Sequence, residues 1–491
     1  MLYLLAAMHR DEQLQGEMFA TANVNGTKVL IYEQALKWVL EKQRVEEGKN
    51  LNPEITKLEP EDLEILLAEA GLCVVQSGGE YAAIKMIEDR LVEQGYNELQ
   101  VLIEEARKDK QEDGLKNALA AFYLKSAAKA ENSVEFFHKS FGEFLCAKRM
   151  AESLEYFTEK TGKRRKTYTV PDKDLEWQIY DLFGYGSLTA EVVEYLMALL
   201  VKSEVDLLVL FERLHGFYLK WSDGEFIEDT KKTLPLEKAK QLEQWDIQSG
   251  QRRVDIYTGL NVMILLFELH RYGQSQEELR EELHFHPCGE HGSEDFEATR
   301  LLRIISYSEC LGNADFADIV GNFLTNADFR GAYLATVILC GATLIDANLR
   351  DANLSNADFR DADLTCTDLN DAQLIHANFS GAELTGAELT GADLSGANLD
   401  AILIYANLIN ANLINADLSD ATLSGADLSG ADLSGAYLSS TDLSEIKWNN
   451  QTNWSNTIGL HEAREVPEDL QQNPAFAAAV AQSRAASQEQ E

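Results

Sequence analysis

From Gly321 to about Glu445 a leucine or phenylalanine stands at every fifth position. The central residues run from Leu324 and Phe329 to Leu399, resume one residue early at Leu403 and continue to Leu443, giving 25 blocks. Two positions before nearly every one is a small residue, as at Ala327, Ala347, Ala357, Ala387, Ala426 and Ala431. A period of five matches neither the 3.6 of an α-helix nor the 2.0 of a strand, so the chain has to turn at every block. Four blocks close one square coil. Large central residues and alanines fill its narrow interior, while Asp, Asn, Ser, Thr and Gly face out or form the corners. At a strand spacing of about 4.8 Å the blocks stack into a rod roughly 30 Å long.

These blocks, close to Ala-Asp-Leu-Ser-Gly, resemble the pentapeptide-repeat family. The resemblance implies a right-handed quadrilateral parallel β-helix over residues 313–448. It also implies a role some members of that family play, occupying the DNA groove of a topoisomerase as an acidic mimic. Between Asn313 and Lys447 there are 20 acidic and four basic residues, whereas about 30 Å of duplex carries on the order of 18 negative charges. The rod is nevertheless no richer in acids than the rest of the chain. It is poor in lysine and arginine because the repeat excludes them, so mimicry is the second reading.

The first 312 of the 491 residues read as mainly helical. Leu63, Leu66, Leu67 and Ala70 follow helical spacing between Pro60 and a C-capping Gly71, and similar faces occur at Val192, Leu196 and Leu199, at Leu207, Phe211 and Leu214, and at Val262, Leu266 and Leu269. Two β-hairpins are expected, Leu72 to Gln76 with Tyr81 to Ile84, and Ala121 to Lys125 with Val134 to His138. Polar stretches at Thr158 to Asp174 and His284 to Glu297 serve as boundaries. The expected order is a helical and winged-helix-like region over 1–157, a helical domain over 175–310, the rod, and a cap over 449–491. In that cap Leu460 and Phe476 anchor and the last ten residues are disordered. The fold class is α+β multidomain.

Phe136-Phe137-His138-Lys139-Ser140-Phe141-Gly142-Glu143-Phe144-Leu145-Cys146-Ala147 resembles the end of the winged-helix module in NACHT-type signalling NTPases. The opening Leu2-Tyr3-Leu4-Leu5-Ala6-Ala7-Met8-His9 resembles the helix that follows their ATPase core. Ser140 with Glu143 reads as a capping box opening a helix, with His138 just before it. The resemblance implies that His138 contacts the β-phosphate of bound ADP. The residues alone favour a structural histidine ending a hairpin, since phosphate needs more than one donor. No GxxxxGK[ST] occurs, and Gly48-Lys49-Asn50 and Gly162-Lys163-Arg164 lack the hydroxyl and the strand-to-helix setting. The chain thus looks like the C-terminal part of a NACHT and pentapeptide fusion. No cofactor is expected, and an NTPase subunit in trans is one conceivable partner.

Catalysis has no visible carrier: HExxH and GxSxG are missing, and Gly184-Tyr185-Gly186-Ser187 lacks the nucleophile-elbow spacing. The chain is expected not to be an enzyme. His284, His286, Cys288 and His291 lie within eight residues, but zinc knuckles this tight need a second half, so a solvated loop without metal is expected. A net charge of −39 argues against direct binding of nucleic acid or anionic membrane. The basic run Lys163 to Lys166 is short enough to be a solvated linker. Six scattered cysteines fit a reducing cytoplasm. The apolar start has no basic flank or cleavage site and reads as a core helix rather than a signal peptide.

One feature of the rod points to a partner. Around the register slip, Ile402, Ile404, Tyr405, Ile409 and Ile414 take positions that across most of the rod hold Asp, Asn, Ser, Thr or Arg, and Ile375 shares a face with Ile414. An outward apolar belt is costly unless a protein partner, a second copy or the chain's own helical half covers it. The leading expectation is a non-catalytic, cytoplasmic interaction or sensor module of a NACHT-like signalling protein, docking through its rod.

Overall fold

In the computed structural model, residues 24–41, 45–46, 49–50, 59–78, 81–96, 99, 101, 124–126, 133–136, 138–162, 167–203, 205–227, 233–311 and 316–490 are described. The opening segment Leu2 to His9 and the basic run Lys163 to Lys166 lie outside them. The chain divides into two compact units, Met1–Val262 and Met263–Glu491.

The first unit is helical, with α1 Val24–Glu41, α2 Pro60–Gln76, α3 Ile84–Glu93, α4 Lys139–Thr158, α5 Asp172–Phe183, α6 Ala190–Lys202, α7 Leu207–Ser222 and α8 Leu234–Gln244. Helix α9, Gln251–Gln274, contains the division. The starts follow ordinary capping chemistry: the side chains of Thr189, Asp206 and Thr233 accept from the amides of Val192, Val209 and Leu236, and Pro60 opens α2. The expected faces are packed inward, with Leu63, Leu66, Val192, Leu196 and Leu214 fully buried.

Two expectations fail at α2. Gly71 does not cap it, and Leu72 to Gln76 is helix rather than strand. The reason is packing: a Cβ on Gly71 would lie 2.7 Å from Leu145 Cβ and 2.8 Å from the Cys146 amide, so glycine lets α2 and α4 approach closely. Only the second hairpin forms, as β4 Leu124–Ser126 against β5 Ser133–Phe136, after the two-residue pairs β1 Val45–Glu46 and β2 Lys49–Asn50. The residues expected to pair with 72–76 instead give β3 Ala82–Ala83, which joins β5 in an antiparallel sheet of order β3-β5-β4. The strands β6 Lys160–Thr161 and β7 Thr167–Tyr168 follow α4.

The capping box at Ser140 is also not formed. Helix α4 starts at Lys139 with His138 as N-cap and no side-chain cap. Glu143 is buried at 4% exposure and paired to Lys139 at 3.3 Å, so it does not reach back to the helix end.

A cluster of buried charges fastens these helices. Arg90 on α3 bonds Glu69 on α2 and reaches Asp181 on α5 through both terminal nitrogens, at 2.8 and 2.9 Å. Arg149 on α4 meets Glu69 at 2.6 Å, and Lys238 on α8 meets Asp181 at 2.7 Å. Burial alone would raise the Asp181 carboxyl, but Arg90 and Lys238 outweigh it and hold the group well below the usual carboxylate range. Glu69 is lowered in the same way, against its burial, by Arg90 and Arg149.

The second unit contains α10 Arg300–Ser308, α11 Phe316–Val320 and then the coils. Four parallel bridge ladders run along them. They start at Asp328, Tyr333, Ile338 and Thr343, and each has seven rungs. The step between rungs is 20 residues except at the slip, which shortens one step in each ladder, as from Glu383 to Ile402, and near the end, where Asp432 pairs Asn453, Tyr437 pairs Ile458 and Asp442 pairs Arg464. The coils thus continue past the expected limit near residue 448. Alanines and central leucines are buried along the whole length, and Phe359 stacks on Phe379 at 5.1 Å in the next coil. The end is closed by α12 Glu468–Gln471 and α13 Pro474–Gln490. Leu460 and Phe476 are buried anchors as expected, Phe476 standing edge-on to Trp454 at 5.1 Å. The last ten residues, expected to be disordered, continue helix α13 up to Gln490.

Candidate interaction surface

The geometry of one block explains its composition. The residue before the central leucine, usually Asp or Asn, accepts a hydrogen bond from the amide two positions on. Examples are Asp358 from Arg360 at 3.2 Å, Asn407 from Ile409 at 3.2 Å and Asp427 from Ser429 at 3.0 Å. This is an Asx turn, and it satisfies a corner amide locally. The residue two after the leucine is left-handed, with φ from +54° to +74° in every block from Asn326 to Glu445 except at Ala401 in the slip, so Gly, Asn and Asp dominate there.

The block around Leu403 breaks both habits. Ile402 stands where the Asx oxygen should be, and Tyr405 takes the left-handed corner at φ +57°. Both are exposed, at 40% and 65%. The Tyr405 ring overlies the next coil, where a Cβ on Gly425 would come within 2.4 Å of its Cε1. Ile404, Ile409 and Ile414 are half-buried, as is Ile375, so the outward belt expected from sequence narrows to a patch centred on Ile402 and Tyr405. Sequence reading missed four more exposed residues, Tyr333 at 42%, Ile338 at 51%, Tyr437 at 44% and Ile458 at 43%. Each replaces the Asx residue of its block, the same signal that marked Ile402, and Ile338, Tyr437 and Ile458 share one ladder. Arg330, Arg350 and Arg360 pair with Asp328, Asp368 and Asp358 in the early coils, and residues 361–446 hold no lysine or arginine.

In the first unit, His138 is exposed. Lys139 beside it lines a cleft of about 600 Å³ with Gln76, Glu135, Phe136, Glu143 and Tyr185. Gln76 Oε1 and Tyr185 Oη are buried there without a hydrogen-bond partner among the described residues.

The four residues of the 284–291 cluster separate. Cys288 turns to the Ala298 carbonyl at 3.8 Å and His291 stands edge-on to Phe296, while His284 and His286 meet Asp328. Burial, with His284 alongside, pushes His286 down to about 4.

The coils define the class, a quadrilateral parallel β-helix built of five-residue blocks. The family described as pentapeptide repeats (8 copies) matches residues 324–365, 362–400 and 401–445. The C-terminal region therefore carries pentapeptide repeats. Among solved structures the chain is similar to HetL, a pentapeptide repeat protein involved in heterocyst differentiation regulation from the cyanobacterium Nostoc sp. strain PCC 7120. The identity is 32%, covering 29% of this chain and 76% of that one, with a TM-score of 0.19. It is similar also to a pentapeptide repeat protein from the cyanobacterium Cyanothece 51142, at 31% identity over 26% of this chain and 91% of that one, with a TM-score of 0.14. QnrB1, a plasmid-mediated fluoroquinolone resistance protein, is 24% identical over 26% of this chain and 80% of that one, with a TM-score of 0.18. No curated protein matches the chain. Among the described residues no helix is long and apolar enough to cross a membrane.

Proposed function

We propose that this chain is a non-catalytic protein-interaction module that docks a protein partner through the patch centred on Ile402 and Tyr405. The carrying observation is that this block, in giving up its Asx turn and its glycine-like corner, exposes a large apolar side chain at both positions, Ile402 and Tyr405. Each departure is unfavourable for the isolated coil, and together they fit a covered surface. The helical unit is read as the regulatory part of a NACHT-like protein. What supports that reading is the short sheet β3-β5-β4 preceding α4 and the exposed His138 at the start of α4. The six free cysteines support a reducing, cytoplasmic setting.

Changing Ile404, Ile409 and Ile414 together to Ser, on top of Ile402→Asn, is expected to keep the circular-dichroism spectrum and to abolish partner capture or self-association. Unchanged solution mass and unchanged capture overturn the docking reading. The alternative, an acidic DNA mimic acting on a topoisomerase, is favoured by the arginine- and lysine-free stretch 361–446. Stoichiometric inhibition of a topoisomerase by the whole chain, relieved by salt, would put it first.

A further inference from the structure

We propose that His284, His286 and Asp328 form a binding site for one divalent transition-metal ion of the zinc type, clamping the 284–297 loop to the first rung of the β-helix. The three donor atoms lie within 4.8 Å of one another. His284 Nε2 is 3.6 Å and His286 Nδ1 3.5 Å from the same carboxylate oxygen, Asp328 Oδ2. Neither distance is a hydrogen bond, which would require about 2.7–3.2 Å. Two ligands at about 2.0–2.1 Å from a tetrahedral ion stand roughly 3.3–3.4 Å apart, so each nitrogen is within a few tenths of an ångström of that spacing from the shared carboxylate oxygen, and binding needs only the two rings to draw together.

The surrounding residues hold this arrangement. Asp328 is the first rung of its ladder and is 7% exposed. Its Oδ1 accepts from the Arg330 amide at 3.1 Å and from Nε at 3.2 Å, and its Oδ2 accepts from Nη2 at 2.8 Å and more weakly from the same Nε at 3.3 Å. The single Nε hydrogen is shared between the two oxygens, so Oδ2 holds one full hydrogen bond, from Nη2, and keeps lone-pair density for an ion. The arginine acts as the outer partner that orients a ligating carboxylate. His284 is stacked between His286 at 4.1 Å and His270 at 4.7 Å. His270 is a wall rather than a ligand, because its Nε2 meets the Asn326 carbonyl at 3.0 Å and its Nδ1 the Phe285 amide at 3.3 Å. Beneath the loop, Phe285 packs on Phe267 at 5.1 Å. Two imidazoles and one carboxylate suit zinc, cobalt or nickel, whereas magnesium and calcium require an oxygen shell that these residues do not supply. The fourth position is left for water.

Calorimetric titration of zinc chloride into the full, chelator-stripped chain is the test. The expected result is one ion per chain with a dissociation constant below about 10 µM, and a raised melting temperature. Asp328→Asn and His286→Gln should each weaken binding by about ten-fold or more. Cys288→Ser and His291→Gln, the other members of the sequence cluster, should leave it within about two-fold. His284→Gln, at a half-exposed position, serves if either buried-site variant loses the apo circular-dichroism spectrum. The proposal is overturned by no saturable uptake in the wild type, by zinc binding that survives His284→Gln, by loss of binding in Cys288→Ser, or by magnesium binding more tightly than zinc.

Discussion

The two units of this chain are held together in opposite ways. In the helical unit five charged side chains, Glu69, Arg90, Arg149, Asp181 and Lys238, meet once, in a buried cluster that joins five helices. In the coils the same few bonds repeat at every rung, and no single one is special. A unique cluster concentrates stability in a few residues, because removing one partner strands a buried charge. A repeated ladder spreads it over nearest-neighbour terms of similar size.

The largest effect should therefore come from the cluster. Arg90→Met leaves Glu69 and Asp181 without their shared partner and is expected to cost the helical unit about 3–5 kcal/mol, read by denaturant unfolding. A cost below about 1 kcal/mol would show that the cluster is not what distinguishes this unit.

Acid should separate the units next. Glu69 and Asp181 have depressed carboxyl pKa values in the folded chain, so their contribution is complete above the unfolded carboxylate range near pH 4 and is lost as pH falls through the folded values. Below about pH 4 the helical signal should melt at lower temperature while the coil signal changes less. Melting in the reverse order breaks the comparison.

A single rung should matter least among the destabilising changes. Asp427→Ala removes one Asx bond, to the Ser429 amide at 3.0 Å, and is expected to cost about 0.5–1.5 kcal/mol with no loss of the neighbouring coils.

The same contrast decides what was legible in the sequence. A feature repeated at fixed spacing announces itself, so the coils, the slip at Leu403 and the anchors Leu460 and Phe476 were all readable. The last coil was not, because the longer steps to Asn453 and Arg464 break the period while the backbone ladder persists. Glu69, Arg90, Arg149, Asp181 and Lys238 come from five separate helices with no shared spacing, and nothing local marks them as partners. At His284 the local spacing pointed to Cys288 and His291, whereas the fold supplies Asp328 from the first coil. Gly71 read as a helix end because a glycine that caps and a glycine that admits a neighbouring helix look alike in one sequence.

The smallest predicted effect is also the one that bears most on function. Tyr405 occupies a left-handed corner that Asn410 and Asn415 fill in the next two blocks. A left-handed conformation costs an ordinary side chain roughly 1–2 kcal/mol, and Asn relieves part of it through local hydrogen bonding. Tyr405→Asn should therefore raise the stability of the coils by about 0.5–1 kcal/mol, read as a shifted denaturant midpoint with an unchanged slope. The ring is 65% exposed, so little packing is lost to offset the gain. A residue that weakens its own fold and faces solvent is best explained by what it touches outside the chain. The variant should be more stable and yet bind its partner less well. If it is more stable and binds equally, Tyr405 is a tolerated irregularity of the repeat and the docking patch shrinks to the isoleucines.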